Sequence, residues 1–127
     1  MKKILVIDDE DEIRKITVKF LKKNGGYEIF QAANGREGIN MFESHHPDIV
    51  VTDLKMPGMR GEEVVRHIRK SNAKTKVIAV SGEPYLEPVV KAAGCDVFLK
   101  KPFHLLQLQE AVEKLLKKNC IKTLTCR

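Results

Sequence analysis

Asp8 and Asp9 stand side by side where an apolar run stops, Ile4-Leu5-Val6-Ile7 leading straight into them. A third acid, Asp53, ends another apolar run in the stretch IVVTDLKMPGM. Carboxylates that converge repel one another, and burying them costs desolvation energy. At an intermediate effective dielectric, a few Å of separation leaves a repulsion on the order of several kcal/mol. A divalent cation relieves it, and a small set of hard oxygen donors with room for water favours Mg²⁺ or Mn²⁺ over zinc. Two more runs end in polar groups. VIAVSGE places Ser81 after one, and VFLKKPF places Lys100 and Lys101 after the other. A metal and an ammonium neutralise phosphoryl oxygens, a hydroxyl donates to one, and a carboxylate serves as nucleophile. Taken singly, each residue has a plainer reading: a helix cap, a turn serine, a solvated lysine. Convergence of all of them is what argues for phosphoryl chemistry.

That convergence needs a scaffold. Short β-rich runs occur at residues 3–7, 27–32, 49–52, 77–80 and 97–99. Between them apolar residues recur at helical spacing: Ile13, Ile16 and Phe20; Ile39 and Phe42; Val64, Val65 and Ile68; a weaker stretch over 86–93; and Leu105, Leu108, Val112, Leu115 and Leu116. Breakers fall between the elements: Gly25-Gly26, Asn34-Gly35, Pro47, Pro57-Gly58 and Gly94. Pro84 and Pro88 predict a short fourth helix starting near Glu87. Strands alternating with helices imply right-handed crossovers and a parallel sheet covered on both faces. The runs ILVI, IVVT and VIAV lack alternation, as strands buried on both faces should. In such a sheet, sites form beyond the carboxyl ends of the strands, at the switch point in strand order.

A chain of 127 residues suits one domain. Residues 119–127 carry little pattern and are expected to form a flexible tail. No window is apolar enough for membrane insertion, and no signal-peptide pattern opens the chain. Cys95, Cys120 and Cys126 lack metal-ligand spacing and read as reduced thiols of a cytoplasmic protein. The net charge of +6 is spread along helical segments, with acids between the lysines and arginines. Without aromatic–basic interleaving it argues against direct nucleic-acid binding by this domain. His45-His46, at a helix end before Pro47, read as solvated rather than metal-binding.

In this order and spacing, VIDDE, VTDLKMPGM, Ser81 and AAGCDVFLKKPF resemble the response-regulator receiver domain of two-component signalling, over residues 2–118. The resemblance implies a flavodoxin-like (βα)5 fold with a five-stranded parallel sheet in the order 2-1-3-4-5. It implies that Asp53 is the phosphoacceptor. Asp9 and Asp53 would ligate Mg²⁺ (or Mn²⁺) directly, with the backbone carbonyl of Lys55, while Asp8 acts through water. Lys101 rather than Lys100 would contact the phosphoryl group, and the Lys101–Pro102 peptide would be cis. Ser81 and Phe98 would be the switch pair, and Lys55 and Glu83 would tune dephosphorylation. The implied partners are a histidine kinase or histidine phosphotransfer protein and a downstream protein or missing output domain. The domain itself is expected to be a monomer or weak dimer that catalyses only its own phosphorylation and dephosphorylation.

The sequence departs from the family pattern in places. Arg60-Gly61 replaces the frequent Asp-Gly, Phe98 lacks the hydroxyl of the frequent tyrosine, and His104 stands where an acid or serine often caps the last helix. Two other functions fit parts of the pattern. A metal-dependent phosphatase with an aspartyl nucleophile, of the haloacid-dehalogenase type, needs Asp-x-Asp after the first strand. A phosphorylation-independent interaction module would not need the intact set Asp8, Asp9, Asp53, Ser81 and Lys101.

Overall fold

The computed structural model describes residues 1–72 and 74–125, with side chains through residue 116. Strands and helices alternate: β1 (Lys3–Ile7), α1 (Asp11–Gly25), β2 (Glu28–Ala32), α2 (Gly35–His45), β3 (Ile49–Asp53), α3 (Gly61–Ser71), β4 (Lys76–Ser81), α4 (Leu86–Ala93), β5 (Val97–Lys100) and α5 (Leu105–Thr125). The strands form one parallel sheet in the order β2-β1-β3-β4-β5. This is the flavodoxin-like arrangement, with β1 beside β3. Three strands run one residue further than the sequence suggests, so Asp53, Ser81 and Lys100 are themselves the last residues of β3, β4 and β5.

Both faces of the sheet are covered, which explains the unbroken apolar runs. Leu5 and Ile7 of β1 turn toward Phe42 of α2, Val64, Val65 and Ile68 of α3, and Val90 of α4. Their neighbours Ile4 and Val6 turn the other way, onto Val18 and Leu21 of α1 and Leu108 and Val112 of α5. Each such side chain, fully buried, contributes roughly 1.5–3 kcal/mol of transfer free energy. The two apolar layers hold the strands rigidly and leave their carboxyl ends free to carry polar groups.

Helix α1 differs from expectation. Ile13 and Ile16 are 42% and 57% exposed, and the buried residues of α1 are Arg14, Thr17, Val18 and Leu21. The sheet-facing stripe is therefore rotated by one residue from the apolar one. The histidine pair also differs: His45 stacks on the Phe30 ring, 4.0 Å between centroids, and only His46 is exposed, with a left-handed φ of 48°. Helix α4 starts at Leu86 and accommodates Pro88 in its first turn. At the start of α5, His104 supplies no acid, and Gln107 accepts from its backbone N–H at 2.9 Å instead.

Cys95 is buried as a free thiol, and burial pushes its pKa up to about 11. Cys120 and Cys126 lie outside the residues whose side chains are described. The expected flexible tail falls on 119–127; α5 continues at the backbone through Thr125, and residues 126–127 lie outside the described residues. Among the described residues no helix is long and apolar enough to cross a membrane.

Candidate functional site

The strand order brings the ends of β1, β3, β4 and β5 to one rim. Asp53 sits there at the end of β3, only 6% exposed. Both of its carboxylate oxygens are engaged: the Lys101 ammonium donates to Oδ2 at 2.9 Å, and the Lys55 backbone N–H donates to Oδ1 at 3.2 Å. Lys101 is fixed through its own backbone, whose N–H donates to the Ser81 carbonyl at 2.8 Å, one step beyond the Ser81–Lys100 pairing. Successive side chains of a strand point to opposite faces. That parity turns Lys101 toward Asp53 and leaves Lys100 exposed. The Lys101–Pro102 peptide is cis.

Asp8, 8% exposed, leaves β1 on the same side. Its backbone N–H donates to the Ala32 carbonyl at 3.1 Å, and its Oδ1 accepts from the Glu10 backbone N–H at 2.9 Å. Carboxylate oxygens of Asp8, Glu10 and Asp53 lie within 4.8 Å of one another. Glu10 was not anticipated. The signal was present in the DDE run: with extended φ and ψ of −88° and 104°, Glu10 returns to the side that Asp8 occupies. Asp9, between them, is exposed, and the structure does not bring it into this group. It lines an adjoining cleft with Asn34, Pro57 and Met59.

The electrostatics follow from that geometry. Burial raises the Asp8 pKa above the ordinary carboxylate value. The Glu10 amide works against this, the Asp53 charge adds to it, and Lys101 partly offsets it. For Lys101, burial disfavours the charged form. The hydrogen bond and charge of Asp53, helped by Asp8 and Glu10, outweigh this and raise its pKa. Three oxygen-donor carboxylates, two of them nearly buried, with charge not fully balanced by one ammonium, fit a hard divalent cation.

Ser81 is 1% exposed, and its Oγ accepts from the Glu83 backbone N–H at 3.0 Å. The Glu83 side chain forms an ion pair with Lys55 and accepts from the Tyr85 hydroxyl. Lys55 and Glu83 thus meet, joining the loops after β3 and β4. The Lys55 pKa is raised and that of Glu83 lowered, in each case first by this shared hydrogen bond. Tyr85 was not singled out in the sequence. Phe98, half-buried, packs against the core layer beneath α2, α3 and α4.

Gly61 opens α3 directly against the strand end. A Cβ there would lie 2.3 Å from the Asp53 carbonyl oxygen and 2.7 Å from the Leu54 Cα. Only a glycine allows α3 so close. Arg60 before it offers no side-chain acceptor to the helix, and Glu63 accepts from the Arg60 backbone N–H at 3.2 Å.

Comparison with known proteins agrees with this fold. Residues 4–113 match the family model "Response regulator receiver domain". The chain is similar to sporulation initiation phosphotransferase F of Bacillus subtilis, 33% identical over 116 residues, covering 90% of this chain and 93% of that protein. It is also similar to regulatory protein AtoC of Escherichia coli, 33% identical over 123 residues. There the match covers 94% of this chain but only 26% of the relative. Among solved structures, response regulator protein TrrA of Thermotoga maritima in complex with Mg²⁺-BeF superposes with a TM-score of 0.83. It is 38% identical, with 91% of this chain and 99% of that chain covered.

Proposed function

The chain belongs to the response regulator receiver domain family, and from that premise we propose that it is a phosphoacceptor of a two-component or phosphorelay pathway. Asp53 takes the phosphoryl group from a phosphohistidine. The observation that carries this reading is the Lys101 ammonium 2.9 Å from a nearly buried Asp53 carboxylate at a strand end. An unpaired carboxylate there would be unstable, and a paired one is held in place as a nucleophile.

The Asp53 carboxylate attacks phosphorus, the phosphorus–nitrogen bond breaks, and the histidine leaves as imidazole once protonated. The product is an acyl phosphate on Asp53. Lys101, already beside Oδ2, draws charge from the phosphoryl oxygens, and the Ser81 hydroxyl has a proton to donate to one of them. A Mg²⁺ or Mn²⁺ ion would neutralise further charge on those oxygens. The residues that would hold it are Asp53 and Asp9 with the Lys55 backbone carbonyl, Asp9 turning in from the adjoining cleft it lines, and Asp8 acting through water; Glu10, whose carboxylate lies beside those of Asp8 and Asp53, would join them. The Mg²⁺-BeF complex of the TrrA relative supports this choice of metal.

Movement of Ser81 toward the phosphoryl group, followed by Phe98, would reshape the surface of α4, β5 and α5 for a downstream protein. Lys55 and Glu83, linked across the mouth, would set the phosphoryl lifetime. The donor is a histidine kinase or histidine phosphotransfer protein of the cytoplasm. The domain catalyses only its own phosphorylation and dephosphorylation. Incubation with acetyl phosphate tests the reading: label should reach one per chain, require Mg²⁺, and vanish in Asp53→Asn. Catalytic turnover of phosphate esters without stable label would favour the phosphatase alternative instead.

A further inference from the structure

Arg14 is an anomaly of α1. It lies on the sheet-facing stripe and is only 9% exposed, although arginine is rarely buried without partners. Each arm of its guanidinium is engaged. Nη1 donates to the Asp8 backbone carbonyl at 2.8 Å, Nε donates to Gln31 Oε1 at 3.0 Å, and Nη2 pairs with Asp11 Oδ1 at 2.7 Å. One planar side chain thus ties the end of β1 to β2 and to the first turn of α1.

The carbonyl it grips belongs to the peptide joining Asp8 to Asp9. Holding that peptide plane sets the direction of both side chains, and through the Asp8–Glu10 hydrogen bond that of Glu10 as well. Without the guanidinium, the Asp8 carbonyl loses its donor, and repulsion from Asp53 drives the acidic loop outward. We propose that Arg14 is a positioning residue for the acidic loop, fixing Asp8, Asp9 and Glu10 for a divalent cation that it does not itself touch. The proposal rests on the reading that these acids hold such a cation.

The sign of the effect separates this role from plain electrostatics. Removing a cation near a cluster of acids should tighten Mg²⁺ binding if charge were all that mattered. Loss of positioning should weaken it. Partners that orient metal ligands typically change metal affinity by about 10–100-fold.

The experiment is calorimetric titration of the whole chain with Mg²⁺, beside the Mg²⁺ dependence of phosphorylation by acetyl phosphate. In Arg14→Met, Mg²⁺ affinity should fall on the order of tenfold, with the phosphorylation rate at saturating Mg²⁺ retained. Arg14→Lys, which keeps the charge and one donor, should recover part of the loss. Gln31→Met, at an exposed partner, should move affinity the same way by a smaller factor. If Arg14→Met does not fold, the other two variants decide. Wild-type or tighter affinity in the folded variants overturns the proposal. So does a lowered plateau at unchanged half-saturation, the mark of a purely structural role. A folded wild-type protein that binds no divalent cation overturns the functional reading, and this inference with it.

Discussion

Replacing Lys101 by methionine keeps the bulk of the stem and deletes the ammonium. In the wild type that ammonium lies 2.9 Å from Asp53 Oδ2, with side chains 30% and 7% exposed. At that distance and an effective dielectric of about 20, their attraction is about 6 kcal/mol. Desolvation of the two groups takes back part of it. Removing one partner of such a pair typically costs about 3 kcal/mol, because the other is left uncompensated. Lys101→Met should therefore be about 3 kcal/mol less stable in urea denaturation with EDTA at pH 7. The pH dependence has a definite sign. Because the Lys101 pKa is raised in the folded protein, its contribution is complete below the ordinary lysine value. It disappears only as pH rises through the raised one. The stability gap between wild type and variant should thus stay constant through neutral pH and close only in strong alkali. Mg²⁺ should bind the variant more tightly, since the ammonium no longer competes for Asp53, and should restore more stability to it than to the wild type. Phosphorylation by acetyl phosphate should nonetheless slow by about 10²–10³, the usual cost of deleting a donor aimed at developing charge. Unchanged stability in EDTA together with weakened Mg²⁺ binding would refute the reasoning.

Gly61→Ala forces a methyl group to within 2.3 Å of the Asp53 carbonyl, where only backbone can yield. It should cost about 1–3 kcal/mol in thermal or urea unfolding and slow labelling of Asp53; a neutral result in both assays would mean that α3 does not constrain the strand end. Cys95, with its pKa raised from 9.0 to about 11 by burial, should resist iodoacetamide at pH 8 in the native protein, as read by mass spectrometry of its peptide. Because the folded state keeps this proton longer than the unfolded one, the stability difference from Cys95→Ala should fall by about 2 kcal/mol between pH 9 and 11. A flat difference over that range would contradict the burial argument.

The inner strands β1, β3 and β4 were legible because burial on both faces leaves one unmistakable mark, an apolar run without alternation. The residues at the strand ends were legible because Asp53, Ser81 and Lys101 are polar where apolar runs stop. Periodicity was less informative on α1. It showed that Ile13, Ile16 and Phe20 share a stripe but not that the sheet takes its neighbour, Arg14, Thr17, Val18 and Leu21. Arg14 could not be read at all, since its partners come from the end of β1, from β2 and from the start of α1. The choice between Lys100 and Lys101 depends on the parity of the β4–β5 ladder, which residue types alone leave open. Glu10 is hidden for a related reason. Its place beside Asp8 follows from the extended backbone after β1, where an acid run otherwise suggests only a solvated loop.

Lys101 and Arg14 are both cations beside the same acids, yet they act on them by different routes. Lys101 meets the Asp53 carboxylate itself, so it lowers the negative charge that a divalent ion would feel. Arg14 meets the Asp8 carbonyl and directs its charge at Asp11, a side chain 68% exposed and outside the clustered acids. Its influence on the cluster is therefore mostly geometric. Deleting the first should tighten Mg²⁺ binding while phosphoryl transfer fails, and deleting the second should loosen Mg²⁺ binding while transfer at saturation survives. If the two variants shift Mg²⁺ affinity in the same direction, one of these two routes has been assigned to the wrong residue.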